Sequence, residues 1–243
     1  MVLRSLFALS FGIATCCFLR GDEPKQKVQV RNTEHMDFTP SGLLTLKNST
    51  GELIVEGWDQ PGIEITTIKS TKEAYSSSER EKAARELDQV HVKTERHGDE
   101  LVITTDFPRH RLFPPPTKWG SAVDFDLEYE IKVPRNARLT VNHNIGEVHV
   151  DDLMGDIHAT ARQGEITLHL ADSRQYAVDA KSDIGDVISD FPGNEKRKPW
   201  PVGHQLLESP ANAAQRLFLR TGFGDIILLK IQNPAAPAQT VSK

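Results

Sequence analysis

Residues 144–170 read NIGEVHVDDLMGDIHATARQGEITLHL. In this stretch Gly146, Gly155 and Gly164 lie nine residues apart, and each is followed by an acid and then an aliphatic residue. The apolar residues after each glycine alternate with polar ones, which is the period of a half-buried β-strand. One such unit cannot bury its apolar face alone, so the pattern predicts stacked strand repeats that share a core.

The same unit recurs at 50–55 (TGELIV), 183–188 (DIGDVI) and 222–228 (GFGDIIL). Glycine tolerates the positive φ of a sharp bend, and the acid can accept backbone N–H groups at that corner. Two nine-residue units make a coil of about 18 residues, which predicts an all-β protein of the β-solenoid or β-roll type. A β-meander or sandwich with regular hairpins is the alternative. The predicted structural corners are Gly51, Gly146, Gly155, Gly164, Gly185 and Gly224.

One segment has a helical pattern. Residues 77–87 (SSEREKAAREL) carry Ser78 and Glu81 at the spacing of a capping box, followed by a small apolar face. The sequence therefore predicts one short helix beside a β-solenoid domain spanning 28–230. Two Pro-rich stretches, 108–120 and 191–215, are predicted loop insertions, and 231–243 is predicted to be a disordered tail.

The N-terminus is predicted to be a separate segment. Arg4 precedes an apolar run that ends at Arg20, too short for a comfortable membrane span but typical of a secretory signal. Residues 1–20 are therefore predicted to be a signal peptide, with a buried helix as the alternative. Because Cys16 and Cys17 are the chain's two cysteines, they also allow a lipoprotein signal, the one route predicted to reach a membrane.

The repeats, together with GELIVEGWD at 51–59 and YEIKVP at 129–134, resemble the bacterial putative-adhesin family, a domain of unknown function. The resemblance runs from about residue 43 to 231. It implies a β-solenoid-like fold, a location in the cell envelope and no known catalytic activity. It carries over no active-site residues.

Composition and motifs exclude several functions. Lysine and arginine total 29 against 34 acids, a net charge of −5, and the cations are scattered. This argues against a nucleic-acid partner, which needs clustered positive charge. The sequence has no GxSxG elbow, phosphate loop or GxGxxG motif, and no cofactor is predicted.

Histidines and acids of the repeats are the candidate chemical groups. Three histidines alternate with the inward-facing aliphatic residues and are therefore expected to face outward beside the corner acids: His149, His158 and His169. Stacked coils could bring their imidazoles and the carboxylates together as a metal site. The alternative is a solvated polar face. The corner acids could also serve as acid/base groups or Ca²⁺ ligands. An acid after every glycine favours hydrogen bonding at the corners instead.

Tryptophans complete the candidates. Trp119 and Trp200 lie in the two Pro-rich stretches, where exposed aromatics could stack on sugars or anchor a protein, whereas Trp58 is expected to be structural. The sequence predicts an exported, non-enzymatic envelope module, periplasmic or at the cell surface, that binds envelope glycans or a protein partner. The alternatives are a carbohydrate-active enzyme on the solenoid face and a structural envelope component with a protein partner. A histidine–carboxylate cleft would favour the enzyme, and a flat polar face with exposed Trp119 or Trp200 would favour binding. A flat apolar strip or an open end coil would favour assembly.

Overall fold

The computed structural model describes residues 25–106, 125–199 and 202–231, and these ranges are built mainly of β-strands. In chain order the strands are β1 (Gln26–Met36), β2 (Leu43–Trp58), β3 (Ile63–Tyr75), β4 (His91–His97), β5 (Glu100–Asp106), β6 (Phe125–Pro134), β7 (Arg138–Asp151), β8 (Ile157–Gln163), β9 (Ile166–Ala171), β10 (Tyr176–Ile184), β11 (Val187–Ser189), β12 (Asn194–Pro199), β13 (Val202–Glu208), β14 (Gln215–Phe223) and β15 (Ile226–Ile231). The described ranges contain one helix, α1 (Ser77–Leu87). The predicted signal peptide at 1–20, the insertion at 108–120 and the tail after residue 231 lie outside the described residues.

The strands stack in parallel on two faces. The order on the first face is β5, β2, β7, β8, β14 and β10. On the second face it is β6, β2, β7, β9, β15 and β11. The strands β2 and β7 bend at a glycine and belong to both faces. Parallel coils that cross from one face to the other make a β-solenoid, so the predicted fold class is confirmed.

The predicted coil length holds where two coils are consecutive in the chain. Leu139 of β7 pairs with Ile157 of β8, and Val148 pairs with Ile166 of β9. Both pairs are 18 residues apart, which is the length of two nine-residue units. Equivalent aliphatic residues of these two coils therefore lie side by side on the inside of the solenoid.

The core lies between the two faces. Val148, Val150, Ile157, Ile166 and Leu168 are each at most 1% exposed, as their inward parity predicts. Neighbouring coils contribute equivalent residues, so the core is one continuous cluster along the stack. Burial of these aliphatic side chains supplies the main stabilisation of the stacked coils.

Antiparallel strands and the helix cover parts of the stack. β4 pairs with β5, β3 with β6, and β1 with β3 at one end. At the other end β13 pairs with β10, and β12 with β13. The predicted insertion at 191–215 thus contains a β-hairpin, β12–β13, that extends the first face beyond β10.

The helix α1 has the predicted bounds and packs against β3 and β1. Its capping box lies two residues before the predicted pair, because Ser76 rather than Ser78 is the N-cap. The Ser76 hydroxyl donates to Glu79 Oε2 at 2.8 Å, and the Ser76 amide donates to the same oxygen at 3.4 Å. These hydrogen bonds lower the pKa of Glu79. Ala83 and Leu87 form the buried side of the helix.

Candidate functional site

One edge of the solenoid is a column of glycines, here called the glycine edge. In stacking order its members are Gly51, Gly146, Gly164, Gly224 and Gly185, with φ between +89° and +141°. A Cβ on Gly164 would lie 1.7 Å from the carbonyl oxygen of Gly146, and one on Gly224 would lie 2.1 Å from that of Gly164. Both the backbone conformation and the close stacking of carbonyls therefore require glycine.

Small polar side chains line the inside of the glycine edge. The Ser182 hydroxyl donates to the Gly224 carbonyl at 2.7 Å, and the Thr221 hydroxyl donates to the Gly164 carbonyl at 3.2 Å. Ser182 pairs in register with both Thr221 and His204, so these buried polar residues form a column of their own. Their hydrogen bonds supply partners for carbonyls at the bends, which would be costly to bury unpaired.

An apolar strip runs along the outside of the glycine edge. It consists of Ile145, Phe223 and Ile184, each immediately before a glycine of the edge. Their exposed fractions are 51%, 55% and 41%. Phe223 pairs in register with Ile184 on one side and with Gln163 on the other, and Gln163 pairs with Ile145. The strip therefore spans four adjacent coils, with one polar residue, Gln163, within it.

Five carboxylates that follow the glycines of the edge, together with Glu128 on β6, form an acid ladder beside the strip. In stacking order its members are Glu128, Glu52, Glu147, Glu165, Asp225 and Asp186. Glu52 pairs in register with Glu128 and with Glu147. The residues that directly follow the other acids pair in register as well, so the ladder places one acid in each successive coil, about 4.8 Å from the next. The pKa of Glu128 is raised by burial and by the charges of Glu52 and Glu130. Within the described ranges one arginine or lysine comes within 4.0 Å of the ladder, Arg197 at Asp186.

The acids of the ladder differ in their hydrogen bonds. Asp225 Oδ1 accepts the backbone N–H of Asp186 at 2.8 Å, which is the corner bond expected from the sequence. Glu165 instead accepts the hydroxyl of Thr167 at 2.7 Å, and Glu147 lies 3.2 Å from His149 Nε2. Corner hydrogen bonding therefore explains Asp225, whereas Glu147 and Glu165 direct their carboxylates along the outer face.

Gly155 does not belong to the glycine edge. It lies between β7 and β8, at the opposite bend of the coil, and its φ is not in the positive region. A Cβ there would still lie 2.0 Å from the Ala137 carbonyl. The nine-residue spacing thus alternates between two edges, and the 18-residue spacing from Gly146 to Gly164 returns to the same edge.

The three candidate metal histidines are not brought together. His149 and His169 lie on the second face, where His169 Nδ1 contacts Asp151 and His149 contacts Glu147. His158 lies on the first face and packs on Phe218, with ring centroids 4.4 Å apart. In the described part of the chain, no three His, Cys, Asp or Glu side chains are grouped so that they could hold a metal ion.

Two histidines outside the candidate set, His143 and His204, are buried. His143 is 4% exposed, and its Nδ1 lies 2.9 Å from the Ser49 hydroxyl. Burial lowers the pKa of His143 to about 4. His204 is 2% exposed and its Nδ1 accepts the Val187 N–H at 3.0 Å. His143 shares the inward parity of Val141, which is the signal that could have identified it.

The candidate ligand-binding tryptophans, Trp119 and Trp200, lie outside the described residues. Trp58 is half-buried at the end of β2, and its indole N–H donates to the Gly62 carbonyl at 3.2 Å. The residues of the apolar strip were visible in the sequence as the positions before the glycines. They did not stand out because the repeated pattern, an acid and then alternating aliphatic residues, follows the glycines instead of preceding them.

Within the described ranges, no helix has the length and apolar character needed to cross a membrane.

No curated protein matches the chain. Among solved structures, this chain is similar to a putative cell adhesion protein from Clostridium sporogenes, with 11% sequence identity and a TM-score of 0.49. The matched region covers 84% of this chain and all of the other.

Two further structures are more distant. A putative adhesin from Bacteroides fragilis is 8% identical with a TM-score of 0.24, covering 86% of this chain and 100% of its own. One from Parabacteroides merdae is 8% identical with a TM-score of 0.25, covering 82% and 96%. No functional conclusion follows from likeness at this distance. The family model named Toastrack DUF4097, by contrast, matches residues 58–228, which is most of the chain. The chain therefore belongs to the Toastrack DUF4097 family, as the resemblance to a domain of unknown function predicted.

Proposed function

We propose that this protein is an exported, non-catalytic, adhesin-like module of the cell envelope, and that the glycine edge is its docking surface for a protein partner. The observation that carries the proposal is the apolar strip, whose three large side chains are 41% to 55% exposed and occupy three of four adjacent coils. Single exposed apolar residues are ordinary, but an ordered row on a rigid scaffold is typical of an interaction site.

The acid ladder determines the chemistry of the partner. It runs parallel to the apolar strip, and five of its six acids lie one residue past a glycine of the edge. Arg197 is its one close arginine or lysine in the described ranges. A partner that covers both features needs apolar side chains opposite Phe223 and Ile184, and lysine or arginine opposite the acids. The proposed occupant is therefore an extended basic polypeptide segment with interspersed apolar residues, rather than a glycan.

The placement of the acids supports a non-catalytic role. Acid–base hydrolysis of a glycan uses two carboxylates that flank one bond. The ladder instead distributes one acid to each coil along an open edge, and the outward histidines pair singly with neighbouring acids or pack on Phe218. This arrangement offers a repeated binding surface. Export is supported by the apolar segment between Arg4 and Arg20.

Peptide binding tests the docking surface. Two fluorescently labelled peptides would alternate phenylalanine with either lysine or glutamate, and fluorescence anisotropy would measure their binding to the full chain. We expect binding of the lysine peptide, falling as salt rises because the acid ladder is screened. Phe223→Ser and Glu147→Gln should each weaken binding by roughly tenfold.

Ile188→Ser is the matched control, because Ile188 is 52% exposed but lies on β11 and outside the strip. It should leave binding unchanged. Equal binding of both peptides, or equal losses in the Ile188 and Phe223 variants, would contradict the proposed docking edge.

A further inference from the structure

Two cavities flank the turn between β2 and β3, far along the chain from the apolar strip. The larger is a groove of about 810 Å³, and Trp58, Gln60 and Pro61 lie in its wall. The smaller, of about 390 Å³, shares these three residues and adds Arg135 and Met154. The turn therefore forms a ridge with concave surface on both sides, and its aromatic residue contributes to both.

Contacts of Trp58, Asp59 and Gly62 hold the turn in place. The carbonyl of Trp58 accepts the Arg135 N–H at 3.1 Å, and the Arg135 guanidinium holds both carboxylate oxygens of Asp59, at 2.7 and 3.3 Å. Gly62 closes the turn at φ +91°, where a Cβ would lie 2.8 Å from the Met36 carbonyl. A site on this ridge is thus formed before a ligand arrives, which limits the entropy lost on binding.

The hydrogen bonding of Trp58 limits what it can offer a ligand. Its indole N–H already donates to the Gly62 carbonyl, 3.2 Å away. The part of the half-buried side chain that remains available is therefore the carbon ring. The face of an aromatic ring is electron-rich, so it attracts weakly positive C–H groups as well as cations.

Polar side chains surround the aromatic residue in the larger groove. His35, Asp37, Gln60 and Arg96 line it, and all four are exposed. The Arg96 guanidinium donates to the Asp37 carbonyl, and within the described ranges no carboxylate lies within ion-pair distance of it. Arg96 therefore keeps donors for a ligand, Asp37 supplies an acceptor, and Gln60 supplies both.

We propose that this groove binds a pyranose ring of a glycan, with Trp58 as the stacking residue. A pyranose presents C–H groups on one face and hydroxyls around its rim, and each hydroxyl both donates and accepts. The groove matches this division, with one aromatic carbon surface bordered by a planar donor, a planar amide and a carboxylate. The second cavity, across the ridge, allows a chain of sugars to continue past the bound ring.

The sugar site is separate from the docking edge and does not depend on it. The groove is formed by β1, the β2–β3 turn and β4, whereas the apolar strip lies on β7, β10 and β14. With both sites occupied, the protein would link a glycan to a protein partner, which is the function of a scaffold protein. Failure of either test leaves the other proposal standing.

Tryptophan emission tests the site directly. In a full chain carrying Trp119→Phe and Trp200→Phe, Trp58 is the remaining tryptophan. The probes are tetrasaccharides of glucose, mannose and N-acetylglucosamine, with glycerol as a hydroxyl-rich control that has no ring. We expect at least one tetrasaccharide to change the emission saturably, and glycerol to leave it unchanged.

Two variants locate the binding. Gln60→Ala and Arg96→Ala should each weaken the titration by roughly tenfold, since each removes hydrogen bonds to the sugar. Both side chains are exposed, so the fold should persist. Arg85→Ala, on the exposed side of α1, is the matched control and should bind as the parent does. An emission unchanged by every tetrasaccharide, or a response that Gln60→Ala and Arg96→Ala leave intact, would overturn the proposal.

Discussion

Replacing Gly164 by alanine tests whether the glycine edge holds the coils together. The new Cβ would lie 1.7 Å from the Gly146 carbonyl oxygen, whereas real Cβ contacts essentially never fall below 3.0 Å. The two coils would have to separate by roughly 1 Å in a stack spaced at about 4.8 Å. The hydrogen bond from the Val148 amide to the Glu165 carbonyl, 2.9 Å long, joins the same two coils beside this contact.

Two costs add in this variant. A non-glycine residue held at φ +124° is strained by about 1–3 kcal/mol. Opening the ladder weakens one or two backbone hydrogen bonds, each worth about 1 kcal/mol. The expected loss is therefore about 2–5 kcal/mol in the free energy of unfolding, measured by urea denaturation of the full chain.

Gly98→Ala is the control for this measurement. Gly98 also has a positive φ, +62°, but a Cβ there would meet nothing within 4 Å. Its cost should be limited to the left-handed conformation, about 1 kcal/mol. If the two variants lose the same stability, backbone conformation alone explains the glycines and the stacking argument is wrong.

Two further predictions concern buried polar groups. His143 has a pKa of about 4 in the folded state, below its usual value of about 6.5, so the unfolded chain binds more protons between these values and stability falls as pH decreases from about 6.5 to 4. The contribution between pH 7.5 and pH 5 is about 2 kcal/mol, and it should disappear in His143→Gln; an unchanged pH slope in that variant would contradict the assignment. Tyr129→Phe should cost about 1–2 kcal/mol in urea denaturation, because it leaves the buried Thr105 hydroxyl without its phenol partner. A loss no greater than that of the half-buried surface change Phe125→Leu would show that this hydrogen bond contributes little.

The fold was predictable because its repeat imposes a strong local pattern. The alternation after Gly146 and Gly164 fixed which aliphatic residues are buried, and the 18-residue spacing fixed the coil length. The role of Gly155 was not predictable in the same way. Its local sequence, Gly-Asp-Ile, matches the other units, but only the register of β7 with β8 shows that it lies at the opposite edge.

The candidate site was less predictable because it depends on which coils are neighbours. Phe223 and Ile184 are 39 residues apart in the chain, and their pairing follows from β14 lying beside β10. The histidines also show that the sequence pattern alone does not establish which residues are neighbours in space. His149 and His158 have equivalent positions after their glycines, yet one lies on each face, so equal parity did not bring them together.

The order of the coils differs from their order in the chain. From one end to the other the stack runs β5–β6, β2, β7, β8–β9, β14–β15 and β10–β11. The C-terminal coil thus enters between two coils that are synthesised before it. Repeat proteins built in simple sequence order can extend or fray one unit at a time. Here, deleting 215–231 would leave two open strand edges within the body of the protein, at 157–171 and 176–189. Such unpaired edges can pair with strands of other chains, so the coil formed by 215–231 is needed to keep the middle of the solenoid closed against aggregation.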